Sequence, residues 1–170
     1  HTRYIGDWSS DVCSSDLKNL SLLVCRGTYT RMVVDAYDLK NRRLEKRWRW
    51  DGDKEPTPIR GQGSHTLVAA DVDGDGRDEI ILGSVALNPD GRVRWNLGLG
   101  HPDIMYVGDY IPTRPGLEIA YGYEVALAKN GMCLVDANTG QIIWGHPYKT
   151  THIHDQGMIG DFIEIGRAHV

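Results

Sequence analysis

Phenylalanine is almost missing from this chain, with one residue in 170. Its core must therefore rest on aliphatic side chains with Trp and Tyr. No apolar run is long enough to span a bilayer, so a transmembrane helix is excluded. There is no excess of basic charge: the net charge is −4, and nothing builds a basic stripe for a nucleic-acid partner. The three cysteines, Cys13, Cys25 and Cys133, lack metal-ligand spacing and set no redox compartment. The N-terminus has no charged segment leading into an apolar one, as a signal peptide would. No segment repeats its apolar residues every 3.6 positions, which argues against helices. What is abundant is glycine, 20 residues, in a chain that is 41% hydrophobic. Many glycines with scattered Trp and Tyr predict a turn-rich, all-β domain.

The two ends read as DNA rather than protein. Residues 11–16 spell DVCSSD and residues 165–170 spell IGRAHV. Back-translated as ATC GGA AGA GCA CAC GTC, the second has GAC GTG TGC TCT TCC GAT as its reverse complement. That complement encodes the first. The ends of a library insert behave this way and unrelated protein termini do not. Residues 1–17 and 165–170 are thus expected to be translated sequencing adapter, with Glu164 at the junction, and 18–164 to be the domain. On this reading Cys13 and His169 have no functional role, and the lack of a signal peptide carries no weight.

Within 18–164 a unit recurs: a short apolar segment, a turn, then a segment ending in Trp. It appears as VVDAYDLKNRRLEKRW, VALNPDGRVRW and LVDANTGQIIW, ending at Trp48, Trp95 and Trp144. The turns Lys-Asn, Asp-Gly and Thr-Gly suit hairpins. Predicted strands are 20–25, 32–38, 45–51, 66–71, 79–85, 93–97, 104–107, 117–123, 132–136, 142–144 and 157–160. Four-stranded units repeating at this interval are the mark of β-propeller blades. The fold class is therefore all-β, a partial β-propeller of about three blades. Three blades cannot close a ring, so the piece is expected to expose apolar faces at both ends and not to be stable alone.

The sharpest motif is DVDGDGRDEII. Asp71, Asp73 and Asp75 at loop positions 1, 3 and 5, the Arg77 carbonyl at 7 and Glu79 at 9 converge on one point. Hard oxygen donors in this number suit Ca²⁺. The strand-like flanks and the Glu at position 9 separate the loop from an EF-hand. A structural ion pinning a blade is expected. A second copy runs from Asp109 to Glu118 with Ile111 replacing the middle carboxylate, and reads as a structural turn. A third, Asp161 to Glu164, is cut short. His65, His101, His152 and His154 are predicted in equivalent loops that gather at one face. There, imidazoles can act as bases or bind sugars. In RGTYTR, Arg26 and Arg31 can grip carboxylates, and Tyr29 can stack on a sugar face. Trp48, Trp50, Trp95 and Trp144 are expected to pack between blades.

Taken together, RGTYTRMVVDAYD, GQGSHTLVAADVDGDGRDEIILGS, GLGHPDIMYVGDYIPTRPGLEIAYG and LVDANTGQIIWG resemble the rhamnogalacturonan lyases with an eight-bladed propeller. The resemblance spans most of residues 18–163. It implies a Ca²⁺-assisted enzyme, secreted, periplasmic or on the cell surface, and monomeric. That enzyme would cleave the rhamnogalacturonan I backbone of pectin by β-elimination, with no nucleic-acid or membrane partner. Arg26, Arg31, His65 and His101 lead the residues expected at the substrate, with Tyr29, His152 and His154 behind them. No one of them is singled out as the base. The His-rich TTHIHDQGMIGD departs from the family pattern and is expected to mark a subgroup with altered substrate contacts. Two other readings compete. A non-catalytic calcium propeller for adhesion or glycan binding explains the Asp71–Glu79 loop but not RGTYTR or the histidines. A quinone-dependent dehydrogenase propeller is supported by DANTGQIIW alone.

Overall fold

The computed structural model describes residues 21–154 and the backbone of Val12–Cys13. Three antiparallel sheets follow one another along the chain, each a four-stranded meander in sequence order. Blade 1 comprises β1 (Val12–Cys13), β2 (Ser21–Arg26), β3 (Val33–Lys40) and β4 (Arg43–Asp51). Blade 2 comprises β5 (Gly63–Ala70), β6 (Glu79–Gly83), β7 (Val85–Leu87) and β8 (Val93–Asn96). Blade 3 comprises β9 (Pro102–Gly108), β10 (Glu118–Tyr123), β11 (Met132–Asp136) and β12 (Ile142–Gly145). The described residues contain no α-helix, only a one-turn 3₁₀ segment at Gly52–Lys54. The all-β, three-bladed reading of the sequence is thus what the chain adopts. β1, which pairs with Ser21 and Leu22 of β2, lies within residues 1–17.

The strand pattern explains the stacking. Alternate residues of a strand face opposite sides. In β6, Ile80 and Leu82 enter a core shared with Leu23, Val34 and Trp50 of blade 1, whereas Ile81 enters a core shared with Ile119, Tyr121 and Val135 of blade 3. β7 repeats this, with Val85 and Leu87 on one side and Ala86 on the other. Blade 2 is apolar on both faces because it is the middle of a stack. Each such aliphatic side chain contributes about 1.5–3 kcal/mol on burial.

Two tryptophans tie the blades together. The Trp48 indole N–H donates to the Pro89 carbonyl of blade 2 at 3.0 Å, and that of Trp95 to the Ala137 carbonyl of blade 3 at 3.0 Å. A turn glycine of the next blade lies under each ring. A methyl group on Gly91 would sit 2.7 Å from Trp48, and one on Gly140 would sit 2.9 Å from Trp95.

Local departures from the expected strands have simple causes. The single strand expected over 79–85 is a tight hairpin, β6 into β7, turning at Gly83–Ser84. Gly83 has φ +147°, and a side chain there would meet the Gln62 carbonyl at 2.2 Å. The Lys-Asn turn expected in blade 1 shifts by one residue. Asn41 and Arg42 both take positive φ, as a two-residue hairpin turn requires. The expected strand 157–160 lies outside the described residues.

Candidate functional site

The loops at one end of the stack are stitched backbone to backbone. Gly61 and Gly63 amides donate to the Thr30 and Thr28 carbonyls at 2.9 and 3.3 Å, which fixes the GTYT loop of blade 1 on blade 2. The Gln62 carbonyl accepts from Ser84 N of blade 2 at 2.7 Å, and its Oε1 accepts from Gly100 N, just before β9 of blade 3, at 3.0 Å. The segment after β12 returns to this end, where His152 N donates to Glu124 O and Ile153 N to Tyr123 O.

These contacts bring Tyr29, His65, His101 and His154 around one carboxylate, Asp103. His101, 2% exposed, presents Nε2 to Asp103 Oδ1 at 2.7 Å and Nδ1 to the Gly63 carbonyl. Nε2 of His65 lies 3.5 Å from the same oxygen, and the Tyr29 hydroxyl lies 3.2 Å from that nitrogen. His154 Nδ1 reaches Asp103 Oδ2 at 3.1 Å, and Glu124 approaches His101 at 3.4 Å. The Tyr29 and His101 rings are 4.5 Å apart, and His152 stacks on His154 at 5.4 Å. Burial and the nearby Glu124 and Asp103 carboxylates push the Tyr29 hydroxyl above its usual pKa, so the phenol stays protonated at neutral pH.

Both nitrogens of His101 face acceptor oxygens. A neutral imidazole carries one N–H and satisfies only one of them. The 2.7 Å contact between Nε2 and Asp103 Oδ1 is a direct side-chain hydrogen bond, too short to hold an ion between those two atoms. One donor atom each from His65, His101 and Asp103, and likewise from Asp103, Glu124 and His154, lies within 4.8 Å of its partners. The Gly63 carbonyl on Nδ1 orients the ring, as outer partners of a ligating histidine do.

The histidines were expected in equivalent loops; His65 instead lies inside β5, His101 directly precedes β9, and the strand expected after His152 and His154 lies outside the described residues. The two arginines of RGTYTR do not join the cluster. Arg26 pairs with Asp35 at 3.2 Å, while Arg31 grips Asp51 with Nε at 3.1 Å and NH2 at 2.5 Å. With Arg49 they line a separate cleft of about 410 Å³ on blade 1. Asp35, 3% exposed, is met by Arg26, Lys46 and Arg49, an excess of positive charge at that cleft. Arg31 holds the Asp51 carboxyl down at about 2.

The acidic loop between β5 and β6 brings Asp71, Asp73 and Glu79 together, each offering an oxygen within 4.8 Å of the others. Three carboxylates converging in one loop are the hard oxygen donors that calcium takes. Asp71 organises the turn by accepting from the Gly74, Asp75 and Gly76 amides at 2.8–3.1 Å. Asp75 faces Arg77 instead of the cluster, with its carboxylate 2.5 Å from that guanidinium, which lowers its pKa. Glu79 is 1% exposed, and burial pushes its carboxyl upward. Arg94 of β8 links this loop to blade 3, reaching Asp73 at 2.8 Å, Glu79 at 3.3 Å and the Asn138 carbonyl at 2.8 Å.

The second loop copy has the same frame with a different cation. Glu118, fully buried, accepts from Tyr110 N at 2.8 Å and Ile111 N at 3.2 Å, as Glu79 accepts from Val72 N at 3.1 Å. Its other oxygen binds Arg114, which also grips Asp136. The third copy lies outside the described residues.

Sequence reasoning missed Asp103, Glu124, Arg94 and Arg114. The signal for Asp103 was present: His101 and Asp103 are two residues apart at the start of a strand, hence on one face. Glu124 follows the apolar run of β10 and nothing local marks it.

Stacked four-stranded meanders with a histidine–carboxylate cluster at one end define a bladed β-protein with a polar site where its loops converge. The model of rhamnogalacturonan lyase family 11, C-terminal domain, matches residues 5–165, and the chain belongs to that family. It is 50% identical over 126 residues to the rhamnogalacturonan exolyase YesX of Bacillus subtilis (strain 168), covering 74% of this chain and 21% of YesX. It is 45% identical over 126 residues to the endolyase YesW of the same organism, covering 74% of this chain and 20% of YesW. The crystal structure of YesX superposes with a TM-score of 0.80 at 44% identity, over 86% of this chain and 24% of that one. The Bacillus licheniformis rhamnogalacturonan lyase PL11 superposes with a TM-score of 0.75 at 42% identity, over 80% and 24%. The chain thus spans about a fifth of the length of the curated relatives it matches.

Proposed function

We propose that the protein containing this chain is a calcium-dependent, exported lyase. It cleaves the rhamnogalacturonan I backbone of pectin by β-elimination, and the 170-residue piece alone is inactive. The observation that carries this reading is the gathering of Tyr29, His65, His101 and His154 on Asp103, drawn from all three blades of a chain in this family.

The chemistry suits those groups. Neutralising a uronate carboxylate acidifies the proton at C5. A base removes that proton and the sugar linked at O4 departs, unlike hydrolysis by two carboxylic groups. In this reading Tyr29, kept protonated, donates to the departing oxygen, and His65, whose Nε2 lies 3.2 Å from the hydroxyl, restores its proton. Asp103 and Glu124 hold the imidazoles of His101 and His154 in place. The cleft of Arg26, Arg31 and Arg49 offers positive charge to a second uronate. Calcium on Asp71, Asp73 and Glu79 would supply the positive charge that offsets three converging carboxylates. Asp75 would have to leave its ion pair with Arg77 to join that shell with the Arg77 carbonyl.

The test is to express the full-length gene and follow the ultraviolet absorbance of unsaturated uronate on rhamnogalacturonan I, with calcium and after chelation. Activity that falls on chelation and returns with calcium supports the reading. An intact, folded protein that yields no unsaturated product with calcium present overturns it.

A further inference from the structure

His101 is aimed at Asp103 by groups that belong to the neighbouring blade. The residue before it, Gly100, has both of its backbone polar atoms held by side chains of blade 2. Its amide donates to Gln62 Oε1 at 3.0 Å, and its carbonyl accepts from Ser84 Oγ at 2.7 Å. Ser84 is fully buried, and its hydroxyl also meets that of Tyr123 at 2.9 Å. Gly100 takes φ +95°, and a methyl group there would come within 2.9 Å of Val125. The peptide groups on either side of Gly100 are thus fixed, and with them the direction in which the next side chain leaves the backbone. The imidazole is held a second time, because Gly63, the residue after Gln62, accepts at its carbonyl from His101 Nδ1.

Gln62 is the joint of this clamp. Its carbonyl accepts from Ser84 N at 2.7 Å, its Oε1 from Gly100 N, and its Nε2 donates to the Arg60 carbonyl at 3.2 Å. The side-chain amide is turned to backbone at both of its ends, away from any part in gripping a sugar. The contacts of Gly61 with Thr30 and of Gly63 with Thr28 use main-chain atoms alone, whereas the one from Gln62 to Gly100 needs this side chain. We propose that Gln62 is a positioning residue: its amide oxygen, acting on Gly100 from blade 2, sets the direction of His101 and thereby the His101–Asp103 pair. The consequence for turnover rests on the lyase reading; the placement of His101 does not.

The test compares Gln62→Met, which keeps the length and loses the acceptor, with Gln62→Glu, which keeps an acceptor oxygen, both in the full-length protein. With rhamnogalacturonan I as substrate, Gln62→Met is expected to lower kcat roughly 10-fold to 100-fold with little change in KM, and Gln62→Glu to restore most of it. Diethyl pyrocarbonate modification of His101, read by peptide mass spectrometry, supplies a readout independent of activity. His101 is 2% exposed, and its modification is expected to be about tenfold faster in Gln62→Met, the change in local opening that one lost hydrogen bond permits, and unchanged in Gln62→Glu. Urea unfolding checks that the variants fold, and Gln62→Asn, whose amide is too short to reach Gly100, replaces the Met variant if that one does not. An unchanged His101 rate in the acceptor-deficient variant overturns the proposal, as does a kcat within about twofold of wild type or a Glu variant as impaired as the Met variant. A wild-type protein that yields no unsaturated product overturns the lyase reading instead, and the His101 rates then decide the placement by themselves.

Discussion

Replacing Trp95 with phenylalanine removes one hydrogen bond and one fused ring from the interface between blades 2 and 3. Ala137, whose carbonyl accepts from the indole N–H at 3.0 Å, is 1% exposed, so water does not replace the lost donor. A buried acceptor left without a partner costs about 1–3 kcal/mol. The smaller ring leaves a gap among Met105, Ile119 and Val135, adding roughly 1 kcal/mol. The expected loss is about 3 kcal/mol, well above the ~1 kcal/mol expected for Ile81→Val in the same core. Urea unfolding of the full-length protein, compared at constant m-value, measures both. A second substitution makes the reasoning stricter. Gly140→Ala forces a methyl group to within 2.9 Å of the Trp95 ring at φ +74°. It is expected to cost about 2–4 kcal/mol from left-handed backbone strain and overpacking together. Phenylalanine at 95 relieves part of that collision, so the double variant should cost less than the sum of the singles. A Trp95→Phe loss below about 1 kcal/mol, or strict additivity in the double variant, refutes the contact of Trp95 with the blade 3 turn as the source of the stability.

Calcium should raise the free energy of unfolding by about 2.7 kcal/mol at a hundredfold excess over Kd, and Asp73→Asn should abolish the rise without displacing any apolar contact. Asp103→Asn should lower kcat by roughly 10²–10⁴-fold and cost about 1–3 kcal/mol of stability, because buried His101 loses the carboxylate at 2.7 Å from its Nε2; kcat within threefold of wild type (roughly, assay scatter) would remove the cluster from catalysis. Burial raises the Cys133 thiol from its ordinary value near 9 to about 12, and Tyr121 and Tyr123 are raised by burial as well. The folded state therefore holds protons that the unfolded chain releases. Stability is complete below pH 9 and falls as pH climbs toward 12, and Cys133→Ala should flatten the early part of that fall in a pH-jump unfolding series.

How much of this was legible in advance divides along a physical line. Features carried by local spacing were readable. The Trp48, Trp95 and Trp144 repeat announced the blades, and DVDGDGRDE announced a loop in which carboxylates converge. Strand alternation in EIILG was readable as a strand but not as a hairpin arm. The turn at Gly83 is imposed by the close approach of the Gln62 carbonyl from another strand. The site was half legible. Histidines in recurring loops were visible, but their meeting point, Asp103, is defined by which inner strands lie side by side. The arginines of RGTYTR show the same limit. They flank Tyr29 in sequence, yet the loop turns Tyr29 toward His65 while Arg26 and Arg31 bind Asp35 and Asp51 of their own blade.

The two acidic loops give the firmest evidence about what the fold needs at this position. Each must turn the chain between the first and second strands of a blade, and each ends in a glutamate buried almost completely, Glu79 or Glu118. In both, one oxygen of that glutamate caps the amide that follows the loop's first aspartate, at Val72 or Tyr110. The cap is the constant, and a buried carboxylate needs a cation beside it. Blade 3 supplies that cation covalently: Arg114 lies within the loop, and the middle carboxylate has become Ile111. Blade 2 keeps its carboxylates and offers Arg94 from β8, an arginine shared with Asn88 and Asn138. One guanidinium against Asp71, Asp73 and Glu79 leaves negative charge uncompensated, whereas one guanidinium against Glu118 and Asp136 leaves far less. The loop of blade 2 therefore has electrostatic room for a divalent ion and the loop of blade 3 does not, although both build the same glutamate-capped turn.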